Sequence, residues 1–290
     1  MKVKGISLHS IVPVRVEASE GAEQSTQMLF GETASVLAQQ ERWTRLRLDA
    51  DGQEGWVDTK MITPMSDKEY RAHSQALKNA ALVAFPMTYA VSENNGQTLP
   101  LTAGTRLTHY VNGHFEILGV GFRVDPNMVI TKPYDLTEHN LQQVLRFFLN
   151  TPYLWGGKNA LGMDCSGFTQ TVMSLFGKHL LRNASEQVTQ GRPISSLKNA
   201  RAGDLVFFDH YDNKVSHVGI VLQAPMTKRP NGENSEKGNN NNRLQVTLIH
   251  CSGRVKVERL DEKGIFSVER ADKNNPDGQY THHLIAIRRV

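Results

Sequence analysis

The sequence predicts an α+β protein in which two small all-β domains precede a larger α+β domain. Three observations predict this class: short alternating apolar segments before residue 133, helical spacing of apolar residues directly after it, and long apolar strands in the last third. The expected boundaries are residues 1–66 and 79–132 for the β domains and 133–290 for the α+β domain. A chain of 290 residues is long enough to give each domain its own core.

The two β domains are predicted from turns and alternation. Apolar and polar residues alternate over 43–48, and the turn-forming residues 49–52 follow, which is typical of a β-meander. In the second domain the Asn-Gly pair at 112–113 predicts a hairpin turn. The polar stretch 66–81 between the domains predicts a linker or one short helix.

The third domain is predicted to begin with helices and continue with strands. Leu141, Val144, Leu145 and Phe148 recur at helical spacing, and Thr137 can cap that helix. A second helix is expected over 165–176, and its exit is marked by a glycine at 177. Strands are expected at 204–208, 218–222, 244–250 and 283–287. The Asn- and Gly-rich stretch 224–242 is interpreted as a polar hairpin excursion.

Composition excludes several classes of protein. The 33 basic and 29 acidic residues are interspersed, so nothing indicates nucleic-acid binding. The small positive charge could favour an anionic peptide ligand by long-range attraction, but many proteins carry such a charge for solubility alone. With two cysteines the chain can hold neither a disulfide framework nor a four-cysteine metal site.

No apolar run is long enough to span a membrane, and the first residues lack the pattern of an export signal. The expected location is the cell envelope if a signal was removed, and the cytoplasm if the chain is complete as given.

Cys165 is the first candidate for chemistry. It lies at the predicted start of a helix, where unpaired N–H groups and the helix dipole favour a thiolate. The alternative is a buried cysteine that acts as a small apolar residue.

Two histidines lie on successive predicted strands. His217 begins one strand and His250 ends the next, and adjacent antiparallel strands can place two such side chains together on one face. One imidazole could then accept the thiol proton while the second orients it. A zinc site formed by Cys165 and the two histidines remains the other interpretation. Cys251 follows His250 on the same strand and should point to the opposite face, so we predict a structural role for it.

Four motifs occur in order within the third predicted domain, which makes up roughly half the chain. They span 151–157, 164–168, 201–208 and 217–220, with the sequences TPYLWGG, DCSGF, RAGDLVFF and HVGI. In this order they resemble the NlpC/p60 family of cell-wall cysteine peptidases. The resemblance implies a papain-like catalytic domain, and the two β domains ahead of it resemble bacterial SH3-like barrels.

The resemblance implies catalytic roles for four residues. Cys165 would be the nucleophile, His217 the general base, and His250 the residue that orients the base. Tyr153 would donate its hydroxyl to the oxyanion. Tyr153 and its neighbour Trp155 could instead only pack the pocket wall.

The resemblance also implies five residues that bind the substrate, and Trp155 is one of them. Asp164 and Ser166 would hold the free amino end of the substrate, although Asp164 could equally be only a helix cap. Ser185 falls where family members often have a pocket serine. Glu32 resembles an acidic residue that closes the pocket from the first β domain, and an exposed turn glutamate is the alternative.

The function implied is hydrolysis of the γ-D-glutamyl to L-diamino acid bond in peptidoglycan-derived peptides with a free N-terminal L-alanine, with no metal and no cofactor. An N-acetylmuramoyl-L-alanine amidase and a non-catalytic peptidoglycan-binding protein are the alternatives.

Overall fold

The computed structural model describes residues 3–209, 212–223 and 246–290. It divides the chain into two compact units. Unit 1 contains the residues up to Asp135 together with Thr151–Arg182, and unit 2 contains Leu136–Asn150 and Asn183–Val290. The predicted excursion over 224–242 lies outside the described residues.

Unit 1 begins with a seven-stranded antiparallel sheet in the order β3-β2-β6-β5-β4-β1-β7. The strands are β1 (Lys4–Ile6), β2 (Ile11–Arg15), β3 (Gln24–Leu29), β4 (Thr33–Gln40), β5 (Trp43–Leu48), β6 (Glu54–Asp58) and β7 (Thr63–Met65). Alternate residues such as Val12, Val14 and Leu46 are fully buried in one core, as the period of two predicts. The predicted β-meander is confirmed.

The polar stretch after β7 forms helix α1 (Asp67–Leu77). Ser66 and Glu69 form a capping box, in which each side chain binds the other residue's backbone N–H. The prediction of one short helix here is confirmed.

The next strands of unit 1 form a four-stranded and a three-stranded antiparallel sheet, in the orders β10-β9-β13-β12 and β11-β8-β14. They are β8 (Ala81–Val83), β9 (Met87–Ser92), β10 (Thr98–Thr102), β11 (Arg106–Leu107), β12 (His114–Ile117), β13 (Val120–Val124) and β14 (Val129–Ile130). Asn112 and Gly113 both have positive φ, at 48° and 86°, which confirms the predicted turn before β12. One core joins Phe30 of the first β region to Val83 and Phe115 of the second.

Unit 1 also contains the short hairpin β15 (Lys158–Asn159) and β16 (Gly162–Met163), and helix α3 (Cys165–Ser174). Gly177 follows the helix with φ of 70°, as expected for a C-terminal cap. The apolar face of α3, including Phe168 and Val172, is fully buried.

Unit 2 contains helices α2 (Glu138–Leu145), capped by Thr137 as predicted, and α4 (Ala184–Gln187). Its strands are β17 (Arg192–Pro193), β18 (Leu205–Asp209), β19 (His217–Gln223), β20 (Val246–Ser252), β21 (Arg254–Asp261), β22 (Gly264–Ser267) and β23 (Gln279–Arg289). Strand β23 pairs with β18 along one half and with β22 along the other. The antiparallel sheet therefore closes on itself, with a core around Val206, Phe208 and Leu248.

The predicted order of helices before strands in the third domain is confirmed, whereas β21, β22 and the closure were not predicted. The domain boundaries stay predictions. In the described part of the chain, no helix has the length and apolar character that crossing a membrane requires.

Candidate active site

Cys165 is the first residue of α3, as predicted, and its side chain is nearly buried. Asp164 caps the helix by accepting a hydrogen bond of 2.7 Å from the Gly167 N–H. The first N–H groups of a helix have no partner within it, and they carry the positive end of its dipole. This position therefore favours a negatively charged sulfur. A Cβ on Gly167 would lie 2.1 Å from the carbonyl oxygen of Gly157, so only glycine allows this close packing of α3.

The carboxylate of Asp164 is fully engaged within unit 1. Arg182, which is 1% exposed, donates to Oδ1 at 3.0 Å and to Oδ2 at 2.6 Å. The Gly156 N–H also donates to Oδ2, at 2.9 Å. Ser166 donates its hydroxyl to Oδ1 at 3.2 Å and accepts from Arg182 at 2.9 Å.

These contacts change the interpretation of Asp164. Both of its oxygens are satisfied by protein donors, so an additional substrate ammonium would compete with a buried bidentate ion pair. The structure shows Asp164 as the cap of α3, and its predicted contact with the substrate amine stays a prediction. Ser166 is held by the same two partners. Arg182 was not identified from the sequence, because no motif marks it.

Trp155 and Tyr153 are exposed to 58% and 36%. The indole N–H of Trp155 donates to Oε1 of Glu23 at 2.5 Å, and its carbonyl accepts from Gln24 at 3.1 Å. Gly156 has φ of 72°, and a Cβ there would lie 2.4 Å from the carbonyl oxygen of Gln24. The loop that carries Trp155 is therefore held closely against the start of β3.

Glu32 is engaged in a different contact from the one expected. Both of its oxygens lie near Nζ of Lys158, at 3.0 and 3.2 Å, and Oε2 also accepts from the Leu29 N–H at 2.9 Å. Lys158 is 4% exposed, so moving Glu32 to a substrate would leave a buried ammonium group unpaired. Glu32 is therefore not an exposed turn glutamate, and its predicted role in closing the pocket stays a prediction.

Glu23 is the exposed carboxylate that contacts Trp155. It was missed because the sequence contains several acidic residues before β3 and no motif distinguishes this one.

Unit 2 brings His217 and His250 together, as the strand prediction expected. Nε2 of His217 lies 2.7 Å from Nδ1 of His250, and both side chains are buried. Nε2 of His250 lies 2.7 Å from Oε2 of Glu258. His282 stacks on His217, with ring centroids 4.4 Å apart and an interplanar angle of 29°. Neither Glu258 nor His282 was identified from the sequence, because neither lies in one of the four motifs.

His217, His250 and Glu258 form a hydrogen-bonded row. The pKa values of His250 and Glu258 are set by burial and by the charges within and beside this row. Burial lowers the pKa of His250 from its ordinary value of 6.5, and Glu258 opposes part of that change. Burial alone would raise the pKa of Glu258, but the hydrogen bond and charge of His250 and the charge of Lys256 bring it down to about 2. At neutral pH the row therefore contains an ionised carboxylate next to a neutral imidazole.

Ser185 and Cys251 are the remaining residues for which the sequence predicted a role. Ser185 is an exposed residue of α4, and its predicted role in a pocket stays a prediction. Cys251 is fully buried and follows His250 on β20, and its structural role likewise stays a prediction. Over residues 3–209, 212–223 and 246–290, no group of three or more His, Cys, Asp or Glu side chains could hold a metal ion.

Comparison with known proteins supports the fold and the site motifs. The sequence model of the NlpC/P60 family matches residues 150–266, and that of the bacterial dipeptidyl-peptidase SH3 domain matches residues 14–62. A γ-D-glutamyl-L-lysine dipeptidyl-peptidase from Bacillus subtilis (strain 168) is 30% identical over 222 residues, covering 70% of this chain and 72% of the relative. A protein of the same name from Bacillus cereus (strain ATCC 10987) is 26% identical, over 72% of this chain and 68% of the relative.

Solved structures agree on the fold. The crystal structure of an NlpC/P60 family protein from Bacillus cereus ATCC 10987 superposes with a TM-score of 0.73 at 17% identity, covering 99% of both chains. An NlpC/P60 endopeptidase from Photobacterium damselae subsp. piscicida gives a TM-score of 0.70 at 15% identity, covering 98% of this chain and 72% of that one.

This chain belongs to the NlpC/P60 family. It is a cysteine peptidase with an all-β SH3-like region ahead of a papain-like domain, so the predicted family, fold class and enzyme class are confirmed.

Proposed function

We propose that this peptidase hydrolyses the γ-D-glutamyl to L-diamino acid bond of peptidoglycan-derived peptides that carry a free N-terminal L-alanine. The 2.7 Å hydrogen bond between His217 and His250 is the observation that carries the proposal, because it is the base and orienting pair that a thiol nucleophile needs. The choice of bond rests on the names of the two Bacillus relatives, both called γ-D-glutamyl-L-lysine dipeptidyl-peptidase.

In the proposed reaction Cys165 attacks the γ-carbonyl carbon of D-glutamate after His217 has taken its proton. The tetrahedral intermediate collapses to a thioester, and the proton on His217 passes to the amino group of the departing diamino acid. Water, deprotonated by His217, then attacks the thioester and releases L-Ala-D-Glu and the free thiol. The position of Cys165 at the start of α3 supports its role, because that end of the helix favours the thiolate.

Tyr153 is proposed to donate its hydroxyl to the oxyanion of both intermediates. Its 36% exposure supports this, because the side chain is accessible to a substrate. Loss of one such donor typically costs about 10²–10³-fold in kcat.

Glu23 is proposed to bind the free ammonium group of the substrate, the group that Asp164 and Ser166 were expected to hold, and to close the pocket as was expected of Glu32. Its exposure and its contact with Trp155 support the assignment, whereas Glu32 is paired with a buried lysine. A carboxylate in this place would favour a free amine over one that is acylated or linked to a glycan.

The test is product analysis by mass spectrometry with L-Ala-γ-D-Glu-L-Lys, the corresponding diaminopimelate peptide, and a muramyl-linked peptide. The proposal expects release of L-Ala-D-Glu from the free peptides. Cleavage of the muramyl-linked peptide alone, at the lactyl-alanine bond, would establish the amidase instead. Tight binding to peptidoglycan without turnover of any substrate would support a binding protein.

A further inference from the structure

The hydrogen-bonded row in unit 2 extends one residue beyond the pair that the proposed reaction uses. His217, His250 and Glu258 lie on the neighbouring strands β19, β20 and β21. His250 is opposite Gly219 on one side and Lys256 on the other, so the two outer members of the row are its diagonal neighbours. The sheet register therefore fixes all three side chains on one face.

The carboxylate at the end of the row is held in place from the opposite side. Oε1 of Glu258 lies 3.3 Å from Nζ of Lys256, which in turn lies 3.0 Å from Glu269. Arg254 also pairs with Glu269. The Glu258 side chain is only 7% exposed, so solvent screens its contact with His250 weakly.

The directions of the hydrogen bonds follow from the chemistry of the groups. An ionised carboxylate can only accept, so Nε2 of His250 must donate to Glu258. A neutral imidazole has a single N–H, so Nδ1 of His250 is then an acceptor, and Nε2 of His217 must donate to it. This leaves Nδ1 as the basic nitrogen of His217.

We propose that Glu258 is a positioning residue that acts through His250 to fix the tautomers of both histidines, so that His217 takes the thiol proton on Nδ1. This inference rests on the proposed function and adds a fourth member to its catalytic row. When His217 becomes an imidazolium ion, the fixed negative charge of Glu258 at the far end of the row stabilises it. The thiolate and the imidazolium ion thus form together at lower pH than they would without Glu258.

Other charged and titratable groups face this row. Lys256 comes from β21, Glu269 follows β22, and His282 of β23 stacks on His217. Glu269 shares Lys256 with Glu258 but is 47% exposed, and it makes no described hydrogen bond with His250. Its charge also raises the pKa of His250, but it is the smallest of the described influences on that pKa. It offers a matched control, because Glu269→Gln removes a carboxylate charge from the same cluster without removing a hydrogen bond to either histidine.

The experiment compares Glu258→Gln with Glu269→Gln in a Cys251→Ser background, so that Cys165 is the only thiol. Long-range ¹H–¹⁵N correlation spectra of histidine-labelled protein report the tautomers directly. Wild type should show His250 neutral and protonated on Nε2 at pH 7.5, with a proton on Nε2 of His217, and Glu258→Gln should redistribute the proton of His250.

The rate of Cys165 alkylation by iodoacetamide, followed against pH, reports thiolate formation. We expect its midpoint to rise by about one pH unit in Glu258→Gln, because the imidazolium partner is less stabilised. For the tripeptide substrate, kcat should fall about 10–100-fold with KM little changed, as is typical when a supporting partner is removed. Glu269→Gln should stay within about threefold of wild type in all three measurements.

Unchanged histidine spectra and an unchanged alkylation midpoint in Glu258→Gln would overturn the inference, as would equal effects in the control. Glu258→Asp, which keeps the charge on a shorter side chain, should lie between wild type and Glu258→Gln. Since the spectra and the alkylation need no substrate, they test Glu258 even if wild type cleaves none of the peptides, a result that would count against the proposed function alone.

Discussion

Two buried carboxylates, one in each unit, differ in the donors that surround them. Asp164 in unit 1 is bound by Arg182 and by backbone N–H groups, none of which changes its charge over the working pH range. Glu258 in unit 2 is bound by His250, whose charge can change with pH. The carboxylate beside the proposed nucleophile therefore holds structure in place, whereas the one behind the proposed base controls protonation.

The largest expected effect on activity comes from replacing the proposed nucleophile of unit 1. Cys165→Ala should lower kcat for the tripeptide by at least about 10⁴-fold, because no other group replaces the thiol. The control is Cys251→Ser, which should keep most of the wild-type activity. Equal losses in the two variants would show that Cys251 is more than structural.

The next effect concerns stability in unit 1. Arg182→Met should lower the free energy of unfolding by about 3–5 kcal/mol, because it leaves the buried Asp164 charge unpaired. Chemical denaturation measures this directly. Arg47→Ala, which breaks an exposed pair with Glu54, should change the free energy of unfolding far less, because solvent screens that pair.

A double variant tests the cause of the Arg182 effect. Asp164→Asn combined with Arg182→Met should recover part of the loss, because no unpaired charge remains. Strict additivity of the two single changes would mean that their ion pair does not carry the effect.

The carboxylate of unit 2, unlike that of unit 1, should contribute to the free energy of unfolding in a way that depends on pH. Glu258 has a pKa of about 2 in the folded protein against an ordinary 4.5, so its contribution is complete above pH 4.5 and is lost as the pH falls towards 2. This contribution is about 3 kcal/mol at most, given 1.36 kcal/mol for each pKa unit. Burial also lowers the pKa of His250, so stability starts to fall when the unfolded chain gains that proton below about pH 6.5.

Urea denaturation of wild type and Glu258→Gln from pH 7 to pH 3 measures this difference. The gap in unfolding free energy should be widest near neutral pH and should close as the pH falls. A gap that stays constant down to pH 3 would contradict the assignment of the depressed pKa to Glu258.

The smallest expected effect concerns the two glutamates of the first β region. Glu23→Gln should raise KM for the free tripeptide about tenfold, the lower value expected for losing a charged hydrogen bond. The KM of the N-acetylated tripeptide, which has no ammonium group, should hardly change. Glu32→Gln should leave both KM values near wild type and should lower stability, since Lys158 then has no counter-ion. The reverse pattern would return the amine-binding role to Glu32.

Local chemistry explains which parts of the molecule the sequence could predict. Thr137, Cys165 and the Asn112-Gly113 turn were placed correctly, because caps and turns depend on residues that are close in the chain. His217 and His250 were paired correctly because each occupies an apolar strand of clear period.

Contacts between distant residues could not be predicted in the same way. Arg182 meets Asp164 across 18 residues and Glu32 meets Lys158 across 126, and no spacing rule links such positions. Glu258 was missed because β21, the strand that lies beside His250 on the side away from β19, was not predicted. The residues in the site motifs could therefore be identified from the sequence. The side chains that pair with them, such as Arg182 and Glu258, could not.

The most direct test of the central claim is a search for the acyl-enzyme. Wild type is mixed with L-Ala-γ-D-Glu-L-Lys, quenched in acid within the first turnover, and analysed by intact-protein and peptide-mapping mass spectrometry. The account predicts an L-Ala-D-Glu thioester on Cys165 that is absent from Cys165→Ala and decays as L-Ala-D-Glu appears. Product formation with the acyl group on Cys251, or full activity in Cys165→Ala, would contradict it.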